Sequence, residues 1–271
     1  MPELPEVETT IRYLRSKVKE KKIIKLFKSD KKLRKNLTNS DISHINNKKI
    51  IDVRRIAKYI IIELSSKRYL VIHLGMSGRL KYLPLGYKIE KHDHLIITFN
   101  NFLIIYNDPR RFGMTFLLSD LGALDVFFNH YGFDPLKDKI SLPTLFKVLL
   151  KKNITIKQML LDQRYFVGIG NIYANEILFL SKISPKRAVN RITYQEFVYL
   201  VKNIKLILKI AIKNGGSSIN DYKAPDGVLG NFQNLFKVYQ KDKITLKGKT
   251  HIIKKIIQNN RSTFYCPTLQ N

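Results

Sequence analysis

The chain reads as a multidomain α+β protein: an N-terminal helix with a β-sandwich, then a helical module, then a C-terminal β-hairpin. Three observations predict this. Short runs rich in β-branched and aromatic residues crowd positions 49–118, separated by turn-forming pairs. After Asp134-Pro135 the apolar spacing becomes helical. From Leu235 onward it alternates again among lysines.

The first segment, PEVETTIRYLRSKVKEKK, begins with Pro and acids and ends in lysines, the charge order a helix dipole favours. Val7, Ile11, Leu14 and Val18 fall on one face. IIDVRRI, KYIIIEL, YLVIHL, HLIITF, FLIIYN and MTFLLS follow as strands, and their short spacing predicts an antiparallel sandwich or barrel. LPTLFKVLLKK, TIKQMLLD, NIYANEILFLSK and TYQEFVYLVKNIKLILKIAIKN are expected helices, the last stopped by Gly215-Gly216. Residues 217–234 form a Gly/Pro/Asp/Asn-rich loop, of a length that in a compact chain is often functional. The expected boundaries are 1–135, 136–234 and 235–271.

Lys and Arg number 49 against 21 Asp and Glu, a formal charge of +28, while 44% apolar content fits a packed globule. Such a field gathers polyanions, nucleic acid ahead of an anionic membrane. The alternative source is mutational, since a chain rich in Lys, Ile and Asn is what an AT-rich genome produces. No apolar stretch is long enough to span a bilayer, and the first residues lack a signal-peptide layout, so neither membrane nor secreted placement is expected. The single cysteine, Cys266, excludes an internal disulfide and a cysteine-paired metal site.

The chain starts MPELPEVE. Removal of Met1 leaves Pro2 as a secondary amine, which titrates near pH 8 and can condense with a sugar aldehyde carbon. Glu3 beside it is placed for general acid/base work. Taken alone, Pro-Glu at a terminus is more often a helix start. His92 and His94 bracket Asp93, but no third ligand clusters with them.

AKYIIIEL (57–64), HLGMSGRL (73–80), KHDH (91–94), NDPRRFG (107–113), VGIGNIYANEILF (167–179) and NRSTFYC (260–266) occur in that order after PELPEVE. With these motifs the chain resembles the formamidopyrimidine-DNA glycosylases from Pro2 to about Cys266. PELPEVE separates it from the sister group acting on oxidised pyrimidines, whose start looks more like PEGPE. The resemblance implies a bifunctional DNA glycosylase/AP lyase that excises 8-oxoguanine and formamidopyrimidines from duplex DNA. Pro2 would be the Schiff-base nucleophile and Glu3 the proton donor or relay, with Lys58 and Arg261 assisting β,δ-elimination. Met76, Arg110 and Phe112 would fill the gap left by the flipped base, an apolar wedge with a cation for the orphan cytosine. His73, His92, Lys152, Lys157 and Asn171 would contact DNA, Asn171 at a helix start within a helix–two-turns–helix element. The loop 217–232 would close over the lesion, with Glu6, Ser217, Ser218 and Tyr222 as recognition residues. The implied partner is duplex DNA, met by a monomer in the bacterial cytoplasm at the nucleoid. An oxidised-pyrimidine glycosylase and a lyase-impaired damage-binding protein are the competing readings.

One part departs from the family. Its members ordinarily end in a zinc finger with two CxxC pairs. Anchoring on Val238-Tyr239 and Phe264-Tyr265-Cys266 puts the four ligand positions at Leu246, Lys249, Cys266 and Leu269. A structural zinc needs four N/S ligands, so no metal and no other cofactor is expected. Arg261 persists, and the run Ile252, Ile253, Ile256, Ile257 offers apolar packing instead.

Overall fold

The computed structural model describes residues 1–219 and 222–271; Asn220 and Asp221, inside the 217–232 loop, lie outside the described residues. Two units form, one from Met1–His130 with Asn214–Gln233, the other from Tyr131–Lys213 with Asn234–Asn271. The loop segment therefore groups with the N-terminal residues.

In the first unit, helix α1 (Leu4–Val18) buries Val7, Ile11, Leu14 and Val18 and ends before the lysine-rich tail of its segment. Strand β1 (Lys25–Lys28) and helix α2 (Asn39–Ile45) precede β2 (Ile50–Ile56), β3 (Tyr59–Leu64), β4 (Tyr69–His73), β5 (Arg79–Pro84), β6 (Asp93–Thr98), β7 (Phe102–Asn107), β8 (Met114–Leu118) and helix α3 (Leu121–Phe128). They pair antiparallel as two four-stranded sheets, β1-β6-β7-β5 and β2-β3-β4-β8. Val53, Ile60, Ile62, Leu70 and Ile72 of one sheet share a core with Leu26, Leu80, Leu95, Ile97 and Ile104 of the other and with the apolar face of α1. That is the expected sandwich.

Two strands escape the sequence pattern. β1 has four residues and buries only Leu26, while β5 ends in Pro84 at a sheet edge, where the missing N–H costs nothing. Helix α2 is mostly polar and rests on a capping box from Thr38 to Asp41, with buried Ile45 as its apolar anchor.

The second unit contains α4 (Leu142–Leu150), α5 (Ile156–Leu161), α6 (Asn171–Leu180) and α7 (Tyr194–Lys213). Its C-terminal part holds two hairpins where one was expected: β9 (Lys243–Leu246) with β10 (Lys249–Ile252), and β11 (Lys254–Gln258) with β12 (Arg261–Tyr265). Each closes through two residues of positive φ, Lys247-Gly248 and Asn259-Asn260, the turn geometry whose twist matches paired strands. Among the described residues no helix is long and apolar enough to cross a membrane.

Candidate active site and nucleic-acid interface

The N-terminal turn is held by a reciprocal capping box, in which the Glu3 side chain accepts the Glu6 N–H and the Glu6 carboxylate accepts in return. Pro2 and Glu3 are buried ahead of α1, and the Glu3 N–H donates to Glu6 Oε2 at 2.8 Å. Glu6 Oε1 accepts the Ser217 N–H at 2.7 Å and its hydroxyl at 3.1 Å. The Tyr222 hydroxyl donates to the Glu6 carbonyl at 3.0 Å, and burial pushes its pKa up. Ser218 Oγ accepts the Gly230 N–H, and the Ser218 N–H donates to Gln233. All four expected recognition residues are thus engaged within the first unit, tying the loop to the turn that carries Pro2. The partners in this tether lie more than two hundred positions apart in the chain, beyond the reach of any local pattern. The loop also exposes Val228 and Leu229, two apolar side chains that sequence reasoning passed over.

Lys58 follows Ala57, whose φ of +51° closes the tight turn between β2 and β3. It is 7% exposed. His73 lies opposite Tyr59 in the β3–β4 register, with ring centroids 4.7 Å apart. Its Nδ1 accepts the Gly75 N–H, leaving Nε2 to carry the proton of the neutral ring. Burial, with help from the Lys58 cation, lowers the His73 pKa to about 4. At neutral pH the ring is therefore uncharged, with an N–H at Nε2. The folded pKa lies below the unfolded one, so this contribution to stability is complete above about pH 6.5 and is lost as the pH falls towards 4. We expect urea unfolding at pH 5 to reveal a loss of about 2 kcal/mol relative to pH 7 from this group. A His73→Gln protein should lose correspondingly less; an equal loss in both would exclude the assignment.

The turn after β4 exposes Met76, and the loop before β8 exposes Arg110 and Phe112. The Arg110 guanidinium lies 4.9 Å from the Phe112 ring centre, and the Arg110 N–H donates to Ser77 Oγ at 3.1 Å. His92 is half-buried; Asp93 and His94 are buried and bonded inside the fold to Lys81, Asn107, Ser29 and the Asp108 carbonyl. KHDH is accordingly a strand start and does not gather metal ligands.

In the second unit Lys152 is exposed just beyond α4. Lys157 is not at the surface: it is 1% exposed, and its ammonium donates to Thr263 Oγ1 at 2.6 Å and to the Ser262 carbonyl at 3.1 Å. Asn171, the first residue of α6, donates to that same carbonyl at 3.0 Å. Two donors from the helices thereby pin the residue next to Arg261, whose own side chain is exposed at the start of β12. Glu176 accepts the N–H groups of Lys237, Val238 and Tyr239; burial raises its pKa against the pull of those three bonds.

Leu246, Lys249, Cys266 and Leu269 supply one thiol and no imidazole, a set that does not fit tetrahedral zinc. Among the described residues no group of three or more His, Cys, Asp or Glu is placed to hold a metal. Cys266 packs with Val238 and Ile253, flanked by Phe179, Ile244, Phe264 and Leu269. Of the isoleucine run only Ile253 is buried; Ile252 and Ile257 point to solvent.

Residues 1–115 match the model of the formamidopyrimidine-DNA glycosylase N-terminal domain, and residues 131–223 that of the formamidopyrimidine-DNA glycosylase H2TH domain. The chain belongs to the formamidopyrimidine-DNA glycosylase family. The formamidopyrimidine-DNA glycosylase of Wolbachia pipientis wMel is 41% identical over 272 residues, with 100% of each chain covered. A mutant of the Lactococcus lactis FPG, solved with Fapy-dG containing DNA, matches with a TM-score of 0.92 at 34% identity over 100% of each chain. The wild-type Lactococcus lactis enzyme, solved with DNA containing an oxidised pyrimidine, matches at 0.91 and 33% identity, also over 100% of each chain. Family members are DNA glycosylases of base excision repair with AP lyase activity.

Proposed function

We propose that this chain excises oxidised purines, 8-oxoguanine and formamidopyrimidines, from duplex DNA through an iminium formed on Pro2. The observation that carries the reading is the buried Pro2-Glu3 turn, held by Glu6. It fixes a terminal secondary amine beside a carboxyl group once Met1 is removed. The amine attacks C1′, the glycosidic bond breaks, and the base leaves with a proton delivered by way of Glu3; the C1′–O4′ ring bond then opens, O4′ taking up the proton the amine releases, and the iminium forms. Loss of the C2′ proton then expels the 3′-phosphate, and a second elimination expels the 5′-phosphate. Lys58 and Arg261 are the cations we assign to the departing charge.

Met76, Arg110 and Phe112 fill the vacated stack, while His73, His92 and Lys152 face phosphate. Lys157 and Asn171 serve DNA binding by setting the strand that carries Arg261. Glu6, Ser217, Ser218 and Tyr222 serve lesion recognition by setting the loop. We keep 1–135, 136–234 and 235–271 as functional modules, and place the enzyme with the nucleoid in the bacterial cytoplasm, acting as a monomer. The neighbour solved on oxidised-pyrimidine DNA supports a substrate range that reaches beyond purines.

Borohydride added with an 8-oxoguanine duplex should trap a covalent complex with the mature protein. Tight lesion binding with no trapping would leave a damage-binding protein instead. We further propose that the hairpins are held without zinc. Elemental analysis should return no stoichiometric zinc, and 1,10-phenanthroline should leave trapping unchanged; one zinc per chain would refute this.

A further inference from the structure

Asp108 is 0% exposed, and no cationic side chain forms an ion pair with it among the described residues. A buried acid without such a partner is costly to keep, and its retention calls for a reason. Its oxygens are fully committed. Oδ1 accepts the Ser77 hydroxyl at 2.6 Å; Oδ2 accepts the Tyr106 hydroxyl at 3.0 Å and the Gly113 N–H at 2.9 Å. The Asp108 N–H donates to the His92 carbonyl, and its own carbonyl accepts from His94 and from the Arg111 N–H.

Ser77 extends this hub, because its Oγ accepts the Arg110 N–H at 3.1 Å. One carboxylate thereby joins the turn that presents Met76 to the loop that presents Arg110 and Phe112. The joint has no slack. A Cβ on Gly75 would lie 2.6 Å from the Gly113 nitrogen, and one on Gly78 would lie 2.6 Å from the Tyr106 hydroxyl. Meanwhile Met76 and Phe112, at 41% and 43% exposure, have little packing of their own to hold them.

We infer that Asp108 is a positioning residue that holds Met76, Arg110 and Phe112 as one preformed wedge. Entering a base stack costs a few kcal/mol of unstacking. Three side chains ordered separately would add their own loss of rotamer and loop freedom at that moment; a wedge ordered in advance does not. Asp108, with no exposed surface, would act only through those three side chains. The inference rests on the proposed role of those three side chains.

The test compares Asp108→Asn, Ser77→Ala and Met76→Ala on two substrates. One is an 8-oxoguanine:cytosine duplex under single turnover, with 2-aminopurine beside the lesion to report unstacking. The other is a single-stranded abasic oligonucleotide, which has no stack to open and reports the folded Pro2 chemistry. Asp108→Asn keeps the volume but cannot accept from all three donors, and Ser77→Ala removes the hydroxyl that joins Asp108 to the Arg110 N–H. Both should slow duplex excision and the 2-aminopurine signal at least about tenfold while leaving single-strand cleavage within about twofold, an energetic difference of about 1 kcal/mol. If Met76→Ala is selective in this way and the other two variants are not, the positioning role falls alone. Parallel loss on both substrates would reduce Asp108 to a fold residue. If Met76→Ala leaves the duplex rate unchanged, the wedge reading falls and takes the inference with it.

Discussion

A Glu3→Gln protein should release 8-oxoguanine from a duplex about 10²–10⁴-fold more slowly than the parent, the usual worth of a positioned proton donor. It should still form a trappable adduct at a preformed abasic site. The two outcomes separate because the first step must protonate a departing base, whereas an abasic sugar has already lost its base. Gln preserves the shape of a side chain that is 3% exposed, and the Glu3 N–H that binds Glu6 belongs to the backbone. The fold around Pro2 is therefore expected to persist. Gel assays of both substrates decide the matter. A variant that loses trapping and excision equally would show that Glu3 sets the geometry of Pro2 and is not the proton donor.

The second large effect is expected at Gly216. Its φ of +77° disfavours any L side chain by about 1–2 kcal/mol. A Cβ there would sit 2.8 Å from Glu6 Oε1 and 3.0 Å from its Cγ. The carboxylate cannot swing aside without breaking the bonds from Glu3 and Ser217, a further cost of about 1–3 kcal/mol. Gly216→Ala should thus weaken the attachment of the loop by about 2–5 kcal/mol in all. Gly227 is the matched control, because its φ is +86° but a Cβ there meets open space. Gly227→Ala should incur the conformational cost alone. Hydrogen exchange at the Ser217 N–H and protease cleavage of the loop report the difference. Equal behaviour of the two variants would exclude the steric account.

Much of this was readable in the chain, for identifiable reasons. Periodicity located five helices and six strands because each buries an apolar face or a run of Ile, Leu and Val. It missed β1 and β5 because a four-residue edge and a strand ending in proline carry little pattern. The N-terminal Pro2-Glu3, the Met76 turn and the Arg110–Phe112 loop stood out as motifs. What stayed hidden were partners distant in sequence. Lys157 looks like one more basic surface residue, and only its approach to Ser262 and Thr263, more than a hundred positions later, explains its burial. Glu6 is similar: the capping bond to Glu3 is local and legible, but the bonds to Ser217 are not.

The chemistry that oxidises guanine also attacks sulfur, taking thiolates to sulfenic and sulfinic acids and thioethers to sulfoxides. A finger closed by four thiolates exposes its fastening to that attack at the moment its substrate is being made. In this chain Cys266 is the only sulfur from Asn234 to the end, and it lies 0% exposed among Val238 and Ile253. The hairpin that carries Arg261 is fastened by hydrocarbon and by buried hydrogen bonds, neither of which a peroxide consumes.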